Sequence, residues 1–267
     1  MLISKRLRLS TLIAVLLLLV YFCSSQSKSA KPDEGLTLSL CMPAIEADVL
    51  SGALEKCLNS IYRQSRRPDE VVIRISSLTM KTEHLVSQLS SVTKEIPLKL
   101  LTTPLAQNPG INRNVAAREA SGDIISFFDS DDEMHPYKLE IVHGLFQESP
   151  NLSILLHGLT FKKTWHWETM KRSSTRLVRK DALCSIAAKS AGTPWLDHSS
   201  MKYIITHGHV TVSRWVISKY SFGEERSGED CEFVKSILSD VCGDIFRDAI
   251  LVDEPLTLYS PRSSREP

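Results

Sequence analysis

The chain has 267 residues, a length that suits one large α/β domain with a substantial core. Its 32 lysines and arginines nearly balance its 31 aspartates and glutamates, so no basic excess indicates a nucleic-acid partner. Hydrophobic residues make up 42% of the chain, which is ordinary for a soluble domain with one additional apolar segment.

That apolar segment lies near the amino terminus, at residues 9–24, and follows a basic stretch within residues 1–8. Its length is close to the short limit for a membrane-spanning helix, and the basic flank predicts a cytoplasmic amino terminus with a luminal remainder. A cleavable signal peptide is the alternative, but Tyr21 to Cys23 do not form a convincing small-residue cleavage site. We therefore predict a signal anchor at 9–24, a polar stem at 25–35 and a domain at 36–267, which describes a single-pass type II protein of the Golgi or endoplasmic reticulum.

The six cysteines include no CxxC pair and no Cys/His cluster, so they do not indicate zinc. A luminal domain can form disulfides, although the sequence leaves their pairing open. We expect Cys41 and Cys57 to be small buried hydrophobic residues.

The first elements form a β-α-β pattern. Leu36–Met42 is predicted as a strand that Pro43 ends, Val49–Ile61 has the apolar period of a helix, and Glu70–Ile75 is a β-branched strand. A strand, a helix and a second strand predict a parallel sheet.

The pattern then continues towards the middle of the chain. The further predictions are a helix marked by Leu85, Leu89 and Val92, a strand at Leu98–Leu101, a turn at Asn108–Gly110, a helix at Asn112–Ala120, a helix beginning at Pro136 and a strand at Leu152–His157. Gly122 is expected to end the helix before it in a left-handed cap. The first half thus alternates as a nucleotide-binding α/β fold does.

The most informative stretch is SGDIISFFDSDD, residues 121–132. The apolar run Asp123–Phe128 predicts a buried strand, which ends in Asp129, Ser130, Asp131 and Asp132. On an extended backbone Asp129 and Asp131 would project to the same side, and two such carboxylates suit Mg²⁺ or Mn²⁺ with phosphate oxygens. The alternative is an ordinary solvated turn.

The second half is less regular. A basic stretch at residues 162–180 contains Trp165, His166 and Trp167. It is interpreted either as a flexible segment that faces the acceptor or a phosphate group, or as a solvated face of the domain. His207 and His209 could be ligands, although structural histidines are the commoner outcome. Glu229 and Asp230 are expected in the first turn of a helix, where acidic residues also complement the helix dipole.

Five motifs together resemble a family 2 glycosyltransferase with the GT-A fold, over about residues 36–259. These motifs are PDEVVI, INRNVAAREASGDIISFFDSDD, PYKLE, GEDCEF and LVDEPLTLYSPRSS. The resemblance implies an α/β fold of GT-A type, with a Rossmann-like, mostly parallel sheet flanked by helices, here preceded by the membrane anchor helix.

The resemblance also implies a nucleotide-diphosphate sugar donor and a divalent metal, Mn²⁺ or Mg²⁺. Asp129 would contact the donor or the metal, and Asp131 would ligate the metal. Arg113 would face the nucleotide, and the same donor site would include Pro43 and Asn114. Asp230 would be the catalytic base, with Glu229 beside it. UDP is the expected nucleotide and GDP the other candidate.

These features predict an enzyme of the hexosyltransferase class that adds one sugar to a hydroxyl of a glycan, protein or lipid. One base without an enzyme nucleophile suits single displacement with inversion, in which a carboxylate of ordinary pKa accepts the acceptor proton. The sequence lacks a QxxRW motif, which argues against a processive synthase.

One departure from the family pattern leaves a second reading open. Family members often have two aspartates at the end of the second strand, where this chain has Ile75 and Ser76. An inactive GT-A module that binds a glycan or a partner is therefore the alternative. A haloacid-dehalogenase-like phosphatase also has an Asp-x-Asp motif, but on its first strand and before Gly-Thr or Gly-Val, whereas Asp132 and Glu133 follow here.

Overall fold

The computed structural model of the protein describes residues 35–81, 85, 89, 96–161, 175–190, 192–193, 195–196, 199–225 and 227–260. The predicted anchor, nearly all of the stem, most of the helix around Leu85 and residues 162–174 of the basic stretch lie outside these residues. Within the described residues, no helix is both long enough and apolar enough to cross a membrane.

The described residues form nine strands, together with seven helices that are each at least five residues long. The strands are β1 (Leu38–Ile45), β2 (Glu70–Ser76), β3 (Leu98–Thr102), β4 (Ile124–Phe127), β5 (Glu133–Met134), β6 (Leu152–Thr160), β7 (Leu177–Arg179), β8 (Ile204–Ser213) and β9 (Asp248–Leu258). The helices are α1 (Glu46–Leu50), α2 (Ala53–Tyr62), α3 (Pro109–Glu119), α4 (Lys138–Glu148), α5 (Lys180–Lys189), α6 (Arg214–Lys219) and α7 (Glu229–Gly243).

The strands form one sheet in the order β3-β2-β1-β4-β8-β6-β9-β5, and β7 pairs with β9. The first four strands in this order are parallel, as predicted. Strand β8 runs antiparallel to both β4 and β6, and β5 and β7 run antiparallel to β9. Strand β6 runs parallel to β9, so six of the nine strands in the described residues share one direction. The sheet is therefore mixed, and it is entirely parallel only in its first half.

Alternate residues of the strands point to opposite faces of this sheet, and helices bury both faces. In β1, Leu38, Leu40 and Met42 pack into one core with α2 and α4. Cys41 belongs to the other core, which α3, α5 and α7 cover. Both faces being buried explains why β1 reads as an apolar run without polar alternation.

Several element boundaries differ from the predictions. Pro43 lies inside β1, paired with Arg74, and does not end the strand. The predicted helix over residues 49–61 is two helices, interrupted at Ser51 and Gly52. The predicted turn at Asn108 is the start of α3, where the Asn108 side chain accepts a hydrogen bond of 2.8 Å from the Ile111 amide.

Gly122 has a different role from the predicted left-handed cap. Its backbone is not left-handed, and its amide donates to Ser39 Oγ at 2.7 Å. A Cβ atom added at Gly122 would lie 2.6 Å from Ser39 Oγ and 2.7 Å from the Ser39 amide nitrogen. Glycine is therefore required here because β1 and the start of β4 approach too closely for a side chain.

The five cysteines of the described residues divide into two groups. Cys184 in α5 and Cys242 in α7 form a disulfide with a Cα–Cα distance of 5.8 Å. Cys41 and Cys57 are free and buried, as expected, and so is Cys231. The disulfide cross-links two helices on the same face of the sheet.

Candidate active site

A cavity of about 430 Å³ opens at the carboxyl ends of the parallel strands. It lies where the chain order reverses between β1 and β4, which is where ligands bind in open α/β sheets. Its lining residues come from the ends of β1 and β4, from α3 and the segment before it, and from the residue after β9: Pro43, Ala44, Ile45, Gln107, Pro109, Asn112, Arg113, Asp129, Asp131 and Tyr259.

The carboxylates of Asp129 and Asp131 reach this cavity through a turn. Strand β4 ends at Phe127, and the Asp132 amide donates to the Asp129 carbonyl, at 3.4 Å. The turn is held from α1, because Ser130 Oγ donates to Asp48 Oδ2 at 2.7 Å. The two carboxylates thus share the cavity as predicted, but a turn brings them there and not the alternation of an extended strand.

Arg113 connects this turn to the second acidic motif. Its side chain is only 4% exposed, and its two terminal nitrogens donate to Asp129 Oδ1 at 2.6 Å and to Glu229 Oε1 at 2.9 Å. The guanidinium also lies over the Phe222 ring, 5.3 Å from its centroid. Arg113 lines the cavity, and its charge is engaged by two carboxylates of the protein.

The charge of Asp129 follows from these contacts. Burial favours the neutral acid, but the Arg113 guanidinium and a hydrogen bond from His209 outweigh it and hold the pKa of Asp129 well below its usual range. Asp129 is therefore an anion at any physiological pH.

A second group of polar side chains lies behind Asp129, away from the cavity. His209 Nε2 is 3.4 Å from Asp129 Oδ2 and 3.2 Å from Asp132 Oδ2, and Nδ1 is 3.0 Å from Thr257 Oγ1. The Ser260 amide donates to Asp132 Oδ1 at 2.7 Å. Burial lowers the pKa of His209, but the two carboxylates outweigh burial and raise it overall.

The residues Asp129, Asp132 and His209 form a candidate site for a divalent cation. They offer ligand atoms that all lie within 4.8 Å of one another. Ligands at right angles around a cation with bonds of about 2.1 Å lie about 3 Å apart, which is close to the observed separations from His209. Carboxylate oxygens suit Mg²⁺ or Mn²⁺ and an imidazole suits metals such as Zn²⁺, so this set fits a divalent cation without selecting one.

Asp230 faces the same region from the start of α7. A Cβ atom added at Gly208 in β8 would lie 2.9 Å from an Arg113 nitrogen and 3.4 Å from both Asp129 Oδ2 and Asp230 Oδ2. The absence of a side chain at Gly208 thus lets three charged groups meet. Asp230 Oδ1 accepts from the Cys231 amide at 2.8 Å, which leaves Oδ2 as the atom next to Gly208.

The remaining predicted residues have distinct positions. Pro43 lines the cavity. Glu229 is buried and paired with Arg113, beside Asp230 but with a structural partner. Asn114 does not line the cavity, because both atoms of its amide bond to the backbone of Phe222 at 2.9 Å. The structure therefore gives Asn114 a role in holding the loop before α7, in place of the predicted donor contact.

The model of the family described as glycosyl transferase family 2 matches residues 39–200, which is more than half of the chain. The chain belongs to glycosyl transferase family 2. This confirms the family that its motifs predict.

Comparisons with individual proteins agree with this family. An uncharacterized glycosyltransferase of Haemophilus influenzae is 32% identical over 104 residues, 39% of each chain. Among solved structures, S. aureus TarS 1–349 in complex with UDP-GlcNAc aligns with a TM-score of 0.57 and 17% identity, over 86% of this chain and 60% of that one. The mannosyltransferase PcManGT from Pyrobaculum calidifontis, in complex with GDP-Man and Mn²⁺, aligns with a TM-score of 0.52 and 17% identity, over 89% and 62%.

These likenesses show the GT-A type of α/β fold. The chain spans 39% of the length of the Haemophilus relative and about three fifths of the two structures.

Three features of this family 2 site were not predicted from the sequence. Asp132 and His209 lie together behind Asp129. In the sequence, Asp132 was visible only as part of the acidic run, and His209 only through its spacing from His207. Lys138, in the PYKLE motif, is fully buried with Nζ 4.4 Å from the centre of the Phe128 ring. Asn112 joins the lining next to Arg113, without any signal in the sequence.

Proposed function

We propose that the protein is a metal-dependent, non-processive glycosyltransferase that moves one sugar from a nucleotide-diphosphate sugar to a hydroxyl of a glycan, protein or lipid, with inversion. The observation that carries the proposal is the meeting of three charged groups around Gly208, where Asp129, Arg113 and Asp230 approach from three different elements. Asp129 and Arg113 line the cavity, and the candidate base Asp230 approaches both of them from outside its lining.

The donor class rests on the cavity and on the neighbours. A volume of about 430 Å³ lies within the usual range for small-molecule sites. Two proteins of the same fold bind UDP-GlcNAc and GDP-Man, so UDP and GDP are both candidates for the nucleotide here.

We assign the metal to the cavity side of Asp129, with Asp131 as its other carboxylate. The cation must border the cavity to reach the diphosphate, and both of these residues line it. Asp132 and His209 do not line it, and the histidine already pairs with the two acids. A bound Mn²⁺ or Mg²⁺ would neutralise the charge that develops on the leaving diphosphate.

Asp230 is proposed as the base. The oxygen of the acceptor hydroxyl forms a bond to the anomeric carbon while the bond from that carbon to the phosphate oxygen breaks. The electron pair of the broken bond leaves with the diphosphate, and Asp230 Oδ2 takes the hydroxyl proton. Because this step has one displacement, the configuration at the anomeric carbon inverts.

The domain is proposed to lie in the lumen of the secretory pathway, held by the apolar segment at residues 9–24. The disulfide between Cys184 and Cys242 supports an oxidising compartment, since disulfides rarely persist in the cytosol.

The test is the thermal stability of the purified protein with UDP or GDP, in the presence and absence of Mn²⁺. A nucleotide at a hundred times its dissociation constant should stabilise the fold by about 2.7 kcal/mol. We expect stabilisation only with metal present, its loss in Asp131→Ala, and its retention in the exposed control Asp181→Ala. Full metal-dependent binding by Asp131→Ala together with loss in Asp132→Asn would move the cation to the buried site.

The second candidate function is an inactive module that binds a glycan or a partner. Ser76 favours it, because a neutral residue stands where an acid is common in the family. This candidate predicts that neither nucleotide changes the stability of the protein, with or without Mn²⁺.

A further inference from the structure

Ser76 and Asn112 form a polar pair at the end of β2. Ser76 is the last residue of β2 and is fully buried. Its Oγ accepts a hydrogen bond of 2.9 Å from Asn112 Nδ2, which directs Oδ1, the other end of the amide, away from Ser76. The next residue, Ser77, has a left-handed φ of 57° and donates its amide to the Leu105 carbonyl, which fixes the end of the strand.

The other end of the Asn112 amide has no protein partner among the described residues. Asn112 is 1% exposed and lines the cavity, and its Oδ1 accepts no hydrogen bond. A buried carbonyl oxygen without a donor is costly, so such an atom in a cavity wall indicates a ligand that supplies the donor. Since Nδ2 is already engaged by Ser76, the amide offers the ligand an acceptor and not a donor.

The position of this acceptor relative to the carboxylates fits a nucleoside. Asp129 and Asp131 follow β4, the middle of the cavity is formed by Pro43 to Ile45 at the end of β1, and Ser76 ends β2. Neighbouring strands lie about 4.8 Å apart, so β4 and β2 are separated by about 10 Å. With the diphosphate at the carboxylates, this span leaves room for the ribose and puts the base next to Asn112.

Base chemistry then selects among nucleotides. Uracil has an N–H at ring position 3 and guanine has one at ring position 1, and both can donate to an amide oxygen. Cytosine and adenine have a bare ring nitrogen at the corresponding edge, which is an acceptor and would oppose Oδ1.

We propose that Asn112 Oδ1, oriented by Ser76, accepts the ring N–H of the donor's nucleobase and selects uracil or guanine over cytosine and adenine. The inference rests on the proposed function, because it requires a nucleotide-diphosphate donor in this cavity. Family members often have an acid at the end of β2. In this chain, Asn112 and Ser76 would recognise the base in its place.

The experiment is isothermal titration of the full chain with UDP, GDP and CDP in the presence of Mn²⁺. For the wild type we expect CDP to bind at least about tenfold more weakly than the better of UDP and GDP, since a buried acceptor is left facing another acceptor. Whichever of UDP and GDP binds more tightly identifies the base. Equal affinity for all three nucleotides overturns the inference and leaves the proposed function standing, whereas binding of none of them overturns both.

Variants test whether Asn112 Oδ1 is the source of the preference for UDP or GDP over CDP. Asn112→Leu should reduce the preference over CDP to within about twofold, while Asn112→Asp, which keeps an acceptor, should retain it. Ser76→Ala should lower the preference because the amide is free to turn. Asn59→Leu, an asparagine in α2 outside the cavity, is the matched control and should keep it. A preference over CDP that survives in a folded Asn112→Leu protein overturns the assignment.

Discussion

At the scale of single residues, Arg113 determines how the two acidic motifs are arranged. It is nearly completely buried and bonds to Asp129 on one side and Glu229 on the other. A buried ion pair is weak evidence for stability, since the desolvation cost can exceed the attraction between the charges. Its consequence here is positional, because one guanidinium sets the distance between the turn after β4 and the start of α7.

Asp230→Asn should separate binding from transfer. The variant keeps Asp129, Asp131 and Arg113, so we expect affinity for UDP or GDP with Mn²⁺ within about twofold of the wild type. Loss of a positioned base typically lowers the rate by about 10²- to 10⁴-fold. Calorimetry measures the first quantity and release of nucleoside diphosphate from the donor measures the second.

The control for this variant is Glu232→Gln on the same helix. Glu232 is 71% exposed and does not line the active-site cavity, so its removal should alter neither binding nor rate. A large loss of nucleotide affinity in Asp230→Asn, with Glu232→Gln unaffected, would remove Asp230 from the role of base.

The sequence predicted those site residues that belong to compact motifs. Asp129, Asp131, Arg113 and Asp230 were all assigned to one site. The first three line one cavity, and Asp230 approaches Asp129 and Arg113 around Gly208. The partners of these residues were not predictable, because contacts such as His209 with Asp132 join strands that are far apart in the chain. Local sequence patterns carry little information about such pairs.

At the scale of elements, the parallel half of the sheet was easier to predict than the mixed half. Strands β1, β2 and β4 are mostly apolar and are separated by helical patterns. Each β-α-β unit therefore fixes its own direction. The direction of β8 depends on pairing with β4 and β6, whose registers involve distant residues. Likewise Gly122 was predicted as a helix cap. The requirement for glycine at this position comes from the close approach of Ser39, which is distant in the chain.

The cross-link between α5 and α7 should contribute measurably to stability. Cys184 and Cys242 are separated by 58 residues, and in the chain-entropy account a loop of this length is worth about 4 kcal/mol. We therefore expect Cys242→Ser to lower the free energy of unfolding by about 2 to 4 kcal/mol in urea.

Reducing agent provides the control for this effect. Dithiothreitol should lower the stability of the wild type to near that of Cys242→Ser and should leave the variant unchanged. An equal response of both proteins to the reductant would mean that the disulfide is not what stabilises the two helices.

At the scale of the whole molecule, one electrostatic cost is a lysine buried in the protein interior. Lys138 in α4 has no exposed surface, and its Nζ has no hydrogen-bond partner among the described residues. Burial lowers its pKa to about 7, although Asp132, Cys57 and Asp129 act in the opposite direction. The protein thus keeps a cationic group beside its carboxylates at the expense of global stability.

This cost makes the stability of the metal-free protein depend on pH. In the unfolded chain a lysine has a pKa of about 10.4, so between pH 7 and that value the unfolded state binds more protons than the folded state. The penalty is fully present below pH 7 and is relieved as the pH rises, so the contribution of Lys138 should increase the free energy of unfolding by up to about 1.4 kcal/mol per pH unit.

Lys138→Met removes this contribution and fills a similar volume. In EDTA, we expect it to be more stable than the wild type at pH 7, with the difference shrinking towards pH 9, as measured by urea unfolding at several pH values. The exposed lysine at position 189 gives the control Lys189→Met, which should leave the slope unchanged. Parallel pH curves for wild type and Lys138→Met would show that buried Lys138 stays protonated throughout this range, so that its pKa is not lowered in the folded protein.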